Sequence, residues 1–488
     1  MLPWKSIIQL QKEGDCPVYL QIANAISLEI KKGHLGPGVK LPGTRQLSEL
    51  LDVHRITVVR AYEELDAQGW IELRPSQGSF TSSKLPEIHP RQLNGHPRPH
   101  TFAATTGYTV PVNKLIKDPA LPNRHIPGFH DGPDIRMVPV NDIAKAWRSV
   151  LSKKVNLKYT SYVDVAGVTR FRHILSNYLN DARGMQTTFE NILISRGSTM
   201  SLYLLTLVLF KPGDTVVVGE PNYYYADRTF LHAGMELLRV PVDDHGIDID
   251  AIEALCKERK IKAVYITSHH HYPTTATLSA PRRIRLLSLA EQYGFVIIED
   301  DYDYDYHYLS SPILPLASSD THGMVVYIGS LSKIISPAMR TGYIIAPTNL
   351  ILELARLRQI VDGQGDPILE LALSDLFEDG TVKRLIKKAL QEYRIRRDFL
   401  CENLTNRFAG LIDFRIPDGG LAVWARFNPS HPLPALSERM KNQGIILPNG
   451  LIHNTGPVSL NATRLGFGFM NLDESAKALD LLEKLMKA

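Results

Sequence analysis

Between Val18 and Lys32, apolar residues recur at Ile22, Ile26 and Ile30 with Ala23 and Ala25 between them, the spacing of one helical face. Gly33 and Gly36–Pro37–Gly38 stop that helix. Thr44–Leu51 reads as a second helix with Thr44 as its N-cap, Asp52–Val53–His54 as a tight turn, and Arg55–Gln68 as a third helix ended by Gly69. WIELRPSQGSFT then alternates as strand, turn at Pro75–Gly78, and strand. Helix, helix–turn–helix and hairpin together predict a winged helix–turn–helix. The rhythm changes near residue 81. Thr81–His100 holds four prolines, one glycine and no apolar period, the pattern of a linker with extended backbone. From there to residue 488, apolar β-branched runs alternate with helical stretches, so the chain is expected to divide into a small module (1–80), a linker (81–104) and a large α/β domain (105–488).

Composition narrows the class without deciding it. An apolar fraction of 44% and a charged fraction of 22% exclude a fibrous or mostly disordered chain. The longest apolar run, Leu202–Phe210, is far short of a bilayer span, so no membrane partner is expected. The start MLPWKSIIQLQKEGD lacks the apolar core of a signal peptide, and three scattered cysteines point to a reducing compartment; a cytoplasmic location is expected. The net charge of +4 makes no polycation of the chain. Residues 1–80 carry nine Lys/Arg and nine Asp/Glu, but Lys40, Arg45, Arg55 and Arg60 outnumber Glu49 and Asp52 on the segment that would meet a nucleic acid.

The third helix opens with Arg55 and Thr57 in its first turn, where a recognition helix faces base edges in the major groove. Arginine can bond guanine bidentately, and threonine can meet a phosphate or a thymine methyl. Arg45 at the start of the second helix is placed for a backbone phosphate, and Gly78 at the wing tip allows close approach. The alternative on these residues is a dimerisation hairpin with solvated arginines. The stretch KLPGTRQLSELLDVHRITVVRAYEELDAQGWIELRPSQGSF resembles the DNA-binding domain of the GntR family of bacterial regulators. That resemblance implies DNA contacts at Arg45, Arg55, Thr57 and Gly78, with His54 in place of the usual Ser or Thr at the recognition-helix N-cap.

In the large domain, Val296–Ile297–Ile298 feeding Glu299–Asp300–Asp301–Tyr302 predicts a buried parallel strand with a site at its carboxyl end. A second strand, Met324–Gly329, runs into Ser330–Leu331–Ser332–Lys333, followed by Ser336–Pro337–Ala338–Met339–Arg340–Thr341–Gly342–Tyr343. A lysine among small hydroxyl residues, with an aspartate on a preceding strand, suits pyridoxal 5′-phosphate: the amine condenses with the aldehyde and the carboxylate pairs with the pyridinium nitrogen. Ile192–Ile194 followed by Gly197–Ser198–Thr199 predicts a strand opening into a helix whose free N–H groups cradle a phosphate, with Ser330, Ser332 and Arg340 to complete it. Tyr223 can stack on the ring. His269–His271 is not expected to hold a metal, since neighbours on extended backbone point to opposite faces.

In order, the turn at Tyr162–Gly167, the GST helix start, E-P-x-Y at 220–223, Y-P-T at 272–274, EDDYD, S-x-SK, S-P-x-x-R-x-GY and Arg464–Phe467 resemble the fold type I aminotransferases. The resemblance implies Lys333 as the aldimine lysine, Asp300 as the pyridinium partner, Tyr302 as the partner of the 3′ oxygen, and Arg464 as the clamp for a ligand's α-carboxylate. Two departures stand out: His270–His271–Tyr272–Pro273–Thr274–Thr275 where HQ-aromatic-PTG is usual, and DYDYDYHY at 301–308. Both halves in this order resemble the MocR/GabR subfamily of regulators. The subfamily implies a cofactor-binding transcription regulator acting on operator DNA as a head-to-tail homodimer, answering to pyridoxal phosphate or an amine or amino-acid effector. The alternative is a working aminotransferase with an accessory DNA-binding module.

Overall fold

The computed structural model describes residues 3–11, 16–85, 104–111, 115, 126–309, 313–456 and 459–487. The chain divides into two units, Met1–Pro111 and Val112–Ala488. Of the expected linker, 86–103 lies outside the described residues.

In the first unit, helices α1 (Trp4–Ile7), α2 (Val18–Lys31), α3 (Thr44–Leu51) and α4 (Arg55–Ala67) precede a hairpin of β1 (Ile71–Arg74) and β2 (Gly78–Thr81). Ile22, Ile26 and Ile30 of α2 face Leu47 of α3 and Val58, Ala61 and Leu65 of α4, all buried in one apolar cluster. The helical period in α2 is therefore spent on a core. Trp4 of α1 and Ile8 just after it extend this core, and α1 is an element the apolar pattern did not indicate. Thr44 is not the N-cap of α3. Gly43 occupies that position, Thr44 is the first helical residue, and its Oγ1 accepts from Arg55 Nε at 3.3 Å. Asp52 takes a left-handed conformation, φ 52°, which turns the chain from α3 into α4. The unit also runs past residue 80: Thr81 ends β2, and Ser82 N bonds Trp70 O at 2.9 Å.

The second unit is built on an eight-stranded mixed sheet of β3 (Ile192–Ser195), β4 (Thr215–Glu220), β5 (Glu236–Asp243), β6 (Gly246–Ile247), β7 (Ala263–Ile266), β8 (Val296–Asp301), β9 (Val325–Ser330) and β10 (Gly342–Ile345). Its order is β3-β10-β9-β8-β7-β4-β5-β6, with β10 antiparallel to both neighbours and β6 antiparallel to β5. Near-continuous burial along β4, β7 and β9 explains their apolar runs of Val, Ile and Tyr, since helices cover both faces. A smaller antiparallel sheet of β11 (Ile412–Phe414), β12 (Ala422–Phe427) and β13 (Ala462–Gly466) packs with the helices Thr381–Arg407 and Leu472–Lys487 around its own core. The DYDYDYHY segment fastens this lobe: Tyr308 N bonds Asp418 O at 2.9 Å and Gly420 N bonds Tyr306 O at 2.7 Å.

Candidate functional site

Strand alternation sorts the three acids at the end of β8. Glu299 accepts from the Leu316 and Ala317 backbone N–H groups at 2.9 and 3.0 Å. Asp301, on the same face, accepts from Tyr327 Oη at 2.8 Å and meets His269 Nδ1 at 3.0 Å. Both carboxylates are consumed in holding the fold. Asp300 faces the other way. Its Oδ2 accepts from Tyr265 Oη at 3.0 Å, while its buried Oδ1 has no hydrogen-bond partner. Burial pushes the Asp300 carboxyl up to about 7, opposed by the Tyr265 hydrogen bond and the nearby Ser198 side chain and helped by the neighbouring Asp301.

Lys333 follows β9, the strand next to β8. Its carbonyl accepts from Tyr306 Oη at 2.7 Å, and its Nζ donates to the Asp131 carbonyl at 3.0 Å. Tyr306 thus gives the unusual tyrosine-rich segment a positioning role that its composition did not disclose. Tyr302 donates to the His270 carbonyl at 3.1 Å. Tyr223 lies edge-on to Tyr272, ring centroids 4.9 Å apart, and Tyr272 stands 6.1 Å from Tyr302. The three rings form one cluster with Arg464, whose guanidinium lies 4.6 Å from the Tyr272 ring centroid.

The expected phosphate cradle starts at Gly197, φ 88°, just before the Ser198–Leu209 helix. Ser201 N is the first amide to bond back to the Gly197 carbonyl, so the N–H groups of Ser198, Thr199 and Met200 have no acceptor within the helix. Thr199 is exposed, whereas Ser198 is turned towards Asp300. Arg340 reaches the same turn, donating to the Arg196 carbonyl at 3.0 Å. A Cβ on Gly342 would stand 2.7 Å from Gly197 Cα, so two glycines let β10 approach the cradle. Ser330 Oγ accepts from Ser332 N at 3.2 Å, and Ser332 Oγ is buried with no partner. Two buried unpartnered oxygens, on Asp300 and Ser332, beside an open helix start fit a ligand with a protonated ring nitrogen and a phosphate.

Arg464, on β13, is already engaged. Its Nε and Nη2 donate to Asp131 Oδ2 and Oδ1 at 2.8 and 3.2 Å, and its Nη1 donates to the Pro273 carbonyl at 3.1 Å. Burial alone would raise the Asp131 carboxyl, but Arg464 and Lys333 bring it down to about 2. Asp131 is a site residue that sequence reasoning missed; nothing in FHDGPD marks it. Each residue of the histidine triplet has its own partner: His269 with Asp301, His270 with Asp303 Oδ1 at 2.8 Å, and His271 with the Pro221 carbonyl at 3.0 Å. Burial lowers His271 to about 4, keeping it neutral.

In the first unit, Arg45, His54, Arg55 and Gly78 are exposed and Thr57 is half-buried. Ile56, between Arg55 and Thr57, is 62% exposed, an apolar side chain available to a thymine methyl that the sequence reading passed over. The wing carries Arg74 stacked 4.7 Å from the Phe80 ring centroid, with Lys40 on the same ring at 5.7 Å. Gly78 has φ 113°, a conformation that L side chains rarely adopt.

Residues 134–479 match the class I and II aminotransferase family, and residues 18–81 match the gntR family of bacterial regulatory proteins. Over nearly its whole length the chain is similar to the uncharacterised HTH-type transcriptional regulator YdfD of Bacillus subtilis, with 27% identity and 98% of each chain covered. It is also similar to the probable rhizopine catabolism regulatory protein MocR of Rhizobium meliloti, 26% identical across 90% of this chain and 87% of that one. Among solved structures, it is similar to a Pyrococcus horikoshii kynurenine aminotransferase, with 25% identity, a TM-score of 0.69, and 74% of this chain and 91% of that one covered. An archaeal alanine:glyoxylate aminotransferase gives 28% identity, a TM-score of 0.70, and coverage of 74% and 90%.

Proposed function

Because the chain belongs to the class I and II aminotransferase family and carries a gntR-family head, it is a MocR-type transcription regulator, and we propose that pyridoxal 5′-phosphate and a small amine control its hold on operator DNA. The observation that carries the cofactor reading is Asp300: a fully buried carboxyl with one oxygen unpartnered, next to the strand that presents Lys333. When bound, the cofactor supplies an aldehyde for an amine and a ring that withdraws electrons. The chain's residues supply the rest. The Lys333 amine would hold the aldehyde carbon. Asp300 would accept the ring N–H, regaining in that charge pair what its burial costs. The Ser198, Thr199 and Met200 amides, with Ser330, Ser332 and Arg340, would hold the phosphate. Tyr223 would cover a ring face, and Tyr302 would exchange its bond to the His270 carbonyl for one to the ring hydroxyl.

On the DNA side, Arg55, Ile56 and Thr57 would read base edges, while Arg45 and the wing around Gly78 would hold phosphates. A head with no net charge needs paired half-sites, which supports a homodimer. Val155, Leu157 and Tyr162 of the second unit, 72%, 71% and 92% exposed, supply the kind of apolar surface a second copy would cover. A ligand changes DNA affinity only by binding two arrangements of the protein unequally. Among the described residues no helix is long and apolar enough to cross a membrane. Footprinting upstream of the chain's own gene, with and without pyridoxal phosphate, tests the regulator. A footprint indifferent to the cofactor and to Lys333→Ala would end this reading. A second reading, a turning-over aminotransferase, draws on the same Lys333–Asp300 arrangement; sustained product formation from an amino-acid panel would favour it.

A further inference from the structure

Arg464 and Lys333 are the two groups that an α-amino acid would have to reach together, one for its carboxylate and one at its nitrogen. In this chain Asp131 lies between them. Its carbonyl takes the Lys333 Nζ at 3.0 Å, and its carboxylate takes Arg464 with both oxygens, at 2.8 and 3.2 Å. Each of the three guanidinium nitrogens already donates a bond. The remaining nitrogen is spent on the Pro273 carbonyl at 3.1 Å, the guanidinium face is covered by Tyr272, and the residue is 2% exposed.

The segment carrying Asp131 is fixed on either side. Gly466 N bonds the Phe129 carbonyl at 3.2 Å, and Asp134 is held through its amide by Tyr393 Oη at 3.0 Å and through its carboxylate by Arg396 at 3.0 Å. A Cβ on Gly466 would stand 1.8 Å from the His130 carbonyl oxygen, and one on Gly468 2.5 Å from that of Gly132, so this stretch of backbone lies flush against the end of β13. The carboxylate can leave the clamp only by rotating its own side chain. An incoming carboxylate would then face a displaced one in the same small pocket, a like-charge arrangement that opposes binding.

We propose that Asp131 is a built-in occupant of the carboxylate clamp, and that the pocket therefore selects a primary amine bearing no carboxylate on the carbon next to its nitrogen. The inference deepens the functional reading above and rests on Lys333 and Arg464 lining a ligand pocket. Asp131 acts here as a specificity-determining residue.

The test uses the full-length protein and matched pairs: methylamine against glycine, ethylamine against L-alanine, and 2-phenylethylamine against L-phenylalanine. Apparent affinities are read from the visible spectrum of the cofactor-loaded protein. Wild type should bind each amine at least about tenfold more tightly than its amino acid, and Asp131→Ala should gain on the order of tenfold for the amino acids with little change for the amines. Thermal denaturation of the apoprotein provides a second readout: acetate should stabilise Asp131→Ala, whose Arg464 is unpaired, and leave wild type unmoved. Asp131→Asn, which keeps the shape, replaces the alanine variant if that fails to fold. Amino acids binding wild type as well as the amines do, or an amine-to-amino-acid ratio unmoved by both variants, would overturn the proposal. If wild type takes up no colour at all, the cofactor reading fails instead, and the acetate arm still decides whether Asp131 fills the clamp.

Discussion

Asp300→Asn separates the two consequences of burying a carboxyl where a cofactor should be. In the apoprotein, burial raises Asp300 from the ordinary 3.8 to about 7. A carboxyl whose folded pKa is raised helps stability fully only below the unfolded pKa, and that help is lost as pH rises through the folded value. At 1.36 kcal/mol per pH unit, the loss amounts to about 4 kcal/mol in all, of which about 3 kcal/mol falls between pH 5 and 8.5. Asparagine does not titrate, so the variant should lack this part of the pH dependence and be the more stable apoprotein at pH 8.5. Glu370, also raised to about 7 by burial, titrates in both proteins and cancels from the comparison. Urea unfolding of both apoproteins at the two pH values, followed by tryptophan fluorescence, gives the double difference. Cofactor should invert the order at pH 8.5, because only the carboxylate gains a charged partner. If the stability difference between the two apoproteins is the same at pH 5 and 8.5, Asp300 does not hold a charge in a dry pocket, and the central argument for the cofactor fails.

Other outcomes follow from the same geometry. Lys333→Ala should give a protein that folds but takes up no visible absorbance with pyridoxal phosphate, read by difference spectroscopy. Gly342→Ala puts a Cβ 2.7 Å from Gly197 Cα and should weaken cofactor binding on the order of tenfold or more by displacing the cradle, measured by equilibrium dialysis. Arg55→Ala should cost about 1–3 kcal/mol of operator binding and relax the sequence preference, whereas Arg45→Ala should weaken all sequences alike and flatten the salt dependence; gel shifts over a salt series distinguish them. His453, lowered to about 4 by burial, has its stabilising effect above pH 6.5 and loses it as pH falls towards 4, so His453→Gln should make the apoprotein less acid-labile, by up to about 3 kcal/mol at pH 4.

The order of elements and the kinds of chemistry were legible in the chain itself. Helical spacing at Ile22, Ile26 and Ile30 is a local signal, as are the β-branched runs that feed Asp300 and Lys333, and both arise from backbone periods that a neighbouring stretch cannot change. The GntR-like and aminotransferase-like motifs carried the assignment of both halves, because each motif is a short stretch whose backbone shape depends mostly on itself. What the chain did not disclose is non-local. Three acids stand in a row at the end of β8, and only the sheet order, with Tyr265 of β7 and Tyr327 of β9 on opposite faces, decides that Asp300 alone of the three keeps a buried oxygen without a partner. The N-cap of α3 went to Gly43, whose backbone is extended, and the Thr44 hydroxyl accepts instead from Arg55 of the next helix. Asp131 and Arg464 are 333 residues apart, and nothing in either neighbourhood forecasts an ion pair. Side-chain chemistry is written residue by residue, but which charges meet is settled by the packing of strands and lobes distant in sequence.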